Sequence, residues 1–134
     1  MRVLLADDHL PMLERVAALL SLSFDVVGTA RNGEDLISQA MRLRPDVIVA
    51  DITMPVLTGI EAAHQLREAG SSAKFVFLTV HPEDDFVQAC RAEGALGYVV
   101  KSHLRTDLIP AVMAASRGQS YVSQSVCSEL DPRH

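Results

Sequence analysis

The chain has 134 residues and a formal net charge of −5 with pI near 5.4, the size of one domain with a short extension and too acidic for an unaided grip on nucleic acid, which needs clustered Lys and Arg. Hydrophobic residues make up 49% at a mean hydropathy of +0.18, ample for a buried core, yet no apolar run approaches the ~20 residues of a membrane span. Cys90 and Cys127 form no CxxC pair, the five histidines fall at no zinc-binding spacing, and the N-terminus lacks a basic, cleavable leader, so a reduced, cytoplasmic protein is expected.

Short runs rich in Val, Ile, Leu and Phe alternate with segments of helical period, the pattern of βαβ units that build a parallel sheet. The first strand is expected over Arg2–Ala6. A helix follows from about Leu10 to Ser21, with Pro11 in its first turn and Leu13, Val16, Ala17 and Leu20 on one face. Phe24–Thr29 reads as the second strand. Asn32-Gly33-Glu34-Asp35 opens the second helix, because Asn32 can cap free backbone N–H groups and the acids complement the helix dipole. Pro45 marks the approach to a third strand at Asp46–Ala50, and Thr58-Gly59 introduces a third helix carrying Ile60, Ala63, Leu66 and Arg67 to a stop at Gly70. A fourth strand is expected at Lys74–Thr79, a fourth helix at about Glu83–Glu93 behind Pro82, and a fifth strand at Leu96–Val100. The fifth helix spans roughly Leu104–Arg117 with Gly118 as its stop, and Pro110 in its interior implies a kink or a start nearer Leu108. The domain is expected over residues 1–118, leaving 119–134 as a tail, a short terminal helix packed on the domain, or the start of a linker.

Asp7 and Asp8 follow the first strand and Asp51 follows the third. If those strands are parallel neighbours, three carboxylates converge on the sheet edge where open α/β folds place their chemistry. Packed carboxylates repel one another and favour a hard divalent cation, so the residues read as a Mg²⁺ and phosphoryl site. Any one of these acids alone is an ordinary helix cap; it is their convergence that points to a metal. Between the third strand and third helix, Asp51-Ile-Thr-Met-Pro-Val-Leu-Thr-Gly59 is the most specific stretch, because Pro55 and Gly59 shape a tight turn whose backbone can approach a ligand.

Taken together, Asp7-Asp8-His9, D-x-x-M-P-x-x-x-G from Asp51 to Gly59, Thr79 closing the fourth strand and G-x-x-G-Y-V-V-K from Gly94 to Lys101 make the chain resemble a receiver domain of two-component response regulators. The continuation through Ser102, Ile109-Pro-Ala-Val and Arg117-Gly-Gln-Ser-Tyr-Val-Ser is similar to the NarL/FixJ branch, whose members usually run on into a helix-turn-helix domain, as in LuxR-type transcriptional regulators. The resemblance covers about 120 residues and implies a flavodoxin-like (βα)5 fold with a five-stranded parallel sheet of order 2-1-3-4-5. It implies that Asp51 accepts a phosphoryl group from a sensor histidine kinase or phosphotransfer protein, with Lys101 assisting. It further implies Mg²⁺ held by Asp8, by Asp7 largely through water, by Asp51 and by the backbone carbonyl of Thr53. Thr79 would bind a phosphoryl oxygen, and Tyr98 would swing inward as Thr79 moves. The implied protein is a switch and not a multiple-turnover enzyme, and a homodimer through the fourth helix, fifth strand and fifth helix is expected. Direct DNA binding by this chain is not.

Two positions depart from the family pattern: Ser102 stands where many receivers carry proline, and Val80 is bulkier than the alanine common there. Three other readings fit less well. A haloacid-dehalogenase-type phosphatase needs a second acid two residues after its nucleophile, where Thr53 stands. A flavodoxin-like FMN carrier needs a phosphate cradle where this chain is acidic, and no GxGxxG or P-loop occurs. A phosphorylation-independent interaction module would have no use for the full acidic set with Thr79 and Lys101.

Overall fold

Residues 1–52, 54, 57–80 and 95–122 are described by the structure, a computed structural model. In chain order they form β1 (Arg2–Ala6), α1 (Leu10–Ser21), β2 (Asp25–Ala30), α2 (Gly33–Leu43), β3 (Val47–Asp51), α3 (Gly59–Glu68), β4 (Lys74–Thr79), β5 (Gly97–Val100), a 3₁₀ turn (Lys101–His103), α4 (Leu104–Ser116) and β6 (Tyr121–Val122). The helix expected at about Glu83–Glu93 lies outside the described residues.

Neighbouring strands pair in parallel in the order β2-β1-β3-β4-β5-β6, which contains the expected 2-1-3-4-5 sheet. The period-2 alternation of each strand divides its side chains between two cores. Leu4, Ala6, Ile48, Ala50, Phe75, Phe77, Tyr98 and Val100 face α2 and α3 with Leu36, Ala40, Ala62 and Leu66. Val3, Leu5, Val47, Val49, Val76, Leu78 and Val99 face α1 and α4 with Leu13, Val16, Leu20, Leu108 and Val112. Burial on both faces explains why the strands read as nearly unbroken apolar runs.

Local chemistry sets the helix ends. Asn32 accepts the Asp35 N–H at 2.8 Å, and Thr58 with Glu61 forms a complete capping box at the start of α3. Helices α3 and α4 each stop in a left-handed glycine, Gly70 and Gly118, with the backbone bonds Ser71 N–H to Leu66 and Gln119 N–H to Ala114 that define a Schellman end.

Three expectations need correction. The second strand begins at Asp25, since the Phe24 N–H is taken by the Leu20 carbonyl at 2.8 Å while Asp25 N–H reaches Met1 and opens the ladder. Pro110 neither delays nor divides α4: it lies on the exposed side, where water can satisfy the Thr106 carbonyl it leaves without an N–H partner. And within the segment read as a tail, a terminal helix or the start of a linker, Tyr121–Val122 form a sixth strand, because Tyr121 N–H bonds the Leu96 carbonyl at 2.8 Å and the Tyr121 hydroxyl bonds Asp107 Oδ1 at 2.8 Å. Among the described residues, no helix is long and apolar enough to cross a membrane.

Candidate functional site

Strand register brings the acids together. Ala6 pairs with Ala50, so Asp7 and Asp51, each one residue further on, emerge side by side at the C-terminal edge of the sheet. Leu78 pairs with Asp51 and Val100 with Thr79, which places Thr79 and Lys101 on the same edge. Asp7, Asp51 and Thr79 are the buried polar side chains among the described residues, and all three are here.

Lys101 ties the acids to one another. Its Nζ lies 2.9 Å from Asp7 Oδ2 and 3.3 Å from Asp51 Oδ2, with side-chain exposures of 11% for the lysine and 2% and 6% for the two acids. Burial works against the ammonium, but the Asp7 and Asp51 carboxylates beside it prevail and hold its pKa above the ordinary 10.5. The Asp7 carboxylate is fixed by the His9 N–H, which donates to Oδ1 at 2.9 Å. Its Oδ2 is buried with no donor in hydrogen-bonding alignment, so the adjacent lysine charge is its compensation among the described groups.

One oxygen each from Asp7, Asp8 and Asp51 fall within 4.8 Å of one another, two of the residues buried and Asp8 exposed. A set of hard oxygen donors, open on the Asp8 side and containing a buried carboxylate oxygen short of donors, fits a small divalent cation that keeps part of its water shell. Thr53, the remaining expected metal-binding position, lies outside the described residues. Thr79 continues the alternation of Phe75 and Phe77 and therefore shares its sheet face with Tyr98. Tyr98 is fully buried with its hydroxyl 3.5 Å from the Ala95 carbonyl; the aromatic expected to swing inward already stands inside.

Two glycines escaped notice as site residues except as turn formers. A Cβ at Gly59 would overlap the carbonyl oxygen of Asp51 and lie 3.1 Å from its carbonyl carbon, so α3 begins in direct contact with the main chain of the central acid. Gly33 stands in similar contact with Leu57. Only the family motif's glycine signalled the first; the Asn32-Gly33 pair read as a helix cap and carried no signal of the second.

The family model of the response regulator receiver domain matches residues 3–113. The chain belongs to the receiver domain family. Among curated relatives, this receiver domain is 38% identical over 121 residues to the uncharacterized transcriptional regulatory protein YxjL of Bacillus subtilis, covering 89% of this chain and 56% of that protein. It is 37% identical over 131 residues to the nitrate/nitrite response regulator NarL of Escherichia coli, covering 96% and 60%. A solved LuxR-family two-component response regulator from Aurantimonas superposes with a TM-score of 0.92 at 29% identity, over 96% of this chain and 94% of that one. The receiver domain is thus of the NarL/LuxR type and spans 56% to 60% of the length of these two curated relatives.

Proposed function

We propose that this receiver domain is a phosphorylation-controlled switch whose acceptor is Asp51. The observation that carries the reading is the coincidence of the buried polar side chains, Asp7, Asp51 and Thr79, with Lys101 on one sheet edge. A fold does not bury carboxylates at the mouth of a parallel sheet for stability, because desolvated like charges oppose it.

In the transfer, an Asp51 oxygen attacks the phosphorus of a phosphohistidine on a sensor kinase or phosphotransfer protein. The new O–P bond forms as the P–N bond breaks, and the imidazole leaves with the bonding pair and takes up a proton. Such in-line transfer asks the protein chiefly for positioning and charge neutralisation. Three carboxylates and one ammonium leave the cluster with two negative charges. Asp7, Asp8, Asp51 and the Thr53 carbonyl are the groups that would hold Mg²⁺, which supplies the compensating charge when bound. Lys101, already beside Asp51, needs only a small displacement to meet a phosphoryl oxygen, and the Thr79 hydroxyl offers a hydrogen bond to another. Tyr98, on the same face as Thr79, is the group that would report the change to β5.

The output proposed is transcriptional regulation by a longer protein, with this chain as its receiving part and self-association through the face containing β5 and α4 as one route. Direct DNA binding is not assigned to the acidic receiver. The reading is tested by incubating the protein with a small phosphodonor, with Mg²⁺ or with EDTA, and weighing it intact. One phosphate should add only with Mg²⁺, on a base-labile bond, and Asp51→Ala should gain none. A variant that still gains a full phosphate removes Asp51 from the role.

A further inference from the structure

The segment from Ile52 to Thr58 joins the acceptor strand to α3, and its two ends are fixed. Ile52 N–H donates to the Leu78 carbonyl at 3.1 Å, and the Ile52 carbonyl accepts the Gly59 N–H at 2.9 Å. Helix α3 has no slack toward Asp51, because Gly59 already touches the Asp51 carbonyl.

On the other side, the first residue of α2 presses on the same segment. A Cβ at Gly33 would overlap the Leu57 carbonyl oxygen and lie 2.6 Å from the Leu57 Cβ and 2.8 Å from its carbonyl carbon. The obstacle is backbone and cannot rotate away. Retreat of α2 would draw Leu36, fully buried two positions past Asn32-Gly33-Glu34, out of the core it shares with Leu4 and Ile48. The φ of Gly33 is not in the left-handed region, so space and not backbone conformation demands glycine here.

We propose that Gly33 is a positioning residue for the acceptor site: by letting the start of α2 rest against the Leu57 main chain, it sets where Leu57 leads into Gly59, which itself rests on the Asp51 carbonyl. A methyl group at position 33 would move Leu57 by on the order of 1 Å, a displacement that can cost ~100-fold where transfer depends on alignment. Since neither α3 nor α2 can absorb it, the shift passes to Ile52 and the Asp51 main chain, which Gly59 contacts. The kinetic arm of this proposal rests on the phosphoryl-acceptor reading; the structural arm does not.

The test compares Gly33→Ala with Ala40→Gly, which weakens the same helix about two turns beyond Gly33. Phosphorylation by a small phosphodonor, Mg²⁺ affinity by calorimetry, and backbone amide shifts of the metal-free protein are measured below both melting transitions. Gly33→Ala should slow phosphorylation at least tenfold, weaken Mg²⁺ binding several-fold and shift the amides of Ile52, Thr58 and Gly59, while Ala40→Gly lowers the melting temperature and leaves all three as in the wild type. If Gly33→Ala fails to fold, Leu57→Gly serves in its place, removing the Leu57 Cβ from the same contact, and should weaken Mg²⁺ binding. Should the wild type take no phosphate, the functional reading falls while the metal-free amide shifts still decide the positioning claim. Shifts confined to α2, or Mg²⁺ affinity unchanged in a folded Gly33→Ala or in Leu57→Gly, overturn it.

Discussion

Replacing Lys101 by alanine should make the fold depend on a divalent cation. The ammonium is 2.9 Å from Asp7 and 3.3 Å from Asp51, and both carboxylates are nearly inaccessible. Breaking a buried ion pair by removing one partner costs about 3–5 kcal/mol, because a charge is left without compensation. The lower end, about 3 kcal/mol, applies here since the cluster opens to water beside exposed Asp8. For a domain of this size each kcal/mol moves the midpoint by roughly 3–5 °C, so the variant should melt about 10 °C below the wild type in EDTA. Saturating Mg²⁺ stabilises both proteins, so it narrows the gap only by the ratio of their affinities; a variant that binds about tenfold more tightly, because the competing cation is gone, recovers about 1.4 kcal/mol. The gap should therefore shrink to about half its size in saturating Mg²⁺. The lysine pKa is raised, so its stabilisation is complete below pH 10.5 and is lost only as pH rises through the higher folded value. Thermal melts at pH 7 with and without Mg²⁺, and in EDTA alone above pH 10.5, measure all of this. Equal midpoints in EDTA, or a gap that Mg²⁺ widens, would refute the counter-charge role of Lys101.

Other outcomes follow from the same geometry. Asp8→Ala removes the exposed member of the carboxylate set and should weaken Mg²⁺ binding at least tenfold by calorimetry with little change in melting temperature in EDTA. Thr79→Ala should accept phosphate at no less than a third of the wild-type extent by intact mass, yet fail to show a beryllofluoride-induced change in sedimentation, since Thr79 and not Asp51 faces Tyr98. Tyr121→Phe loses the 2.8 Å bond to Asp107 and should cost about 1 kcal/mol in urea denaturation. Burial, then the hydrogen bond and charge of Asp107, raise the Tyr121 pKa above 10.0, so its stabilisation is present below pH 10 and lost above it, and the phenylalanine variant should lack that part of the alkaline decline.

Legibility in the sequence depended on how local each signal was. Asp7, Asp8 and Asp51 could be read because strand ends are visible in apolar runs and parallel neighbours align them. Lys101 was readable through a motif, but its bridge between Asp7 and Asp51 depends on β5 standing two strands from β3, which no local pattern encodes. Tyr121–Val122 escaped because two residues carry no period, and their pairing arises from the Leu96 carbonyl and Asp107, both distant in sequence. Pro110 misled because the penalty for a missing N–H depends on which side of the helix it falls. Gly33 read only as part of a capped helix start, whereas its requirement is set by contact with the Leu57 backbone.

The two-residue strand β6 decides where this domain can be cut. Without Tyr121 and Val122, the outer edge of β5 would lose its partner at Gly97 and Tyr98. Such an edge invites another chain to pair with it. A fragment ending at Gly118, the glycine at which the last helix stops, would bare that part of the edge, and one ending after Val122 would keep it covered. Any domain fused downstream likewise starts from a point anchored beside Tyr98, in register with it, so the length of the joint that follows determines how closely its passenger is held to the sheet.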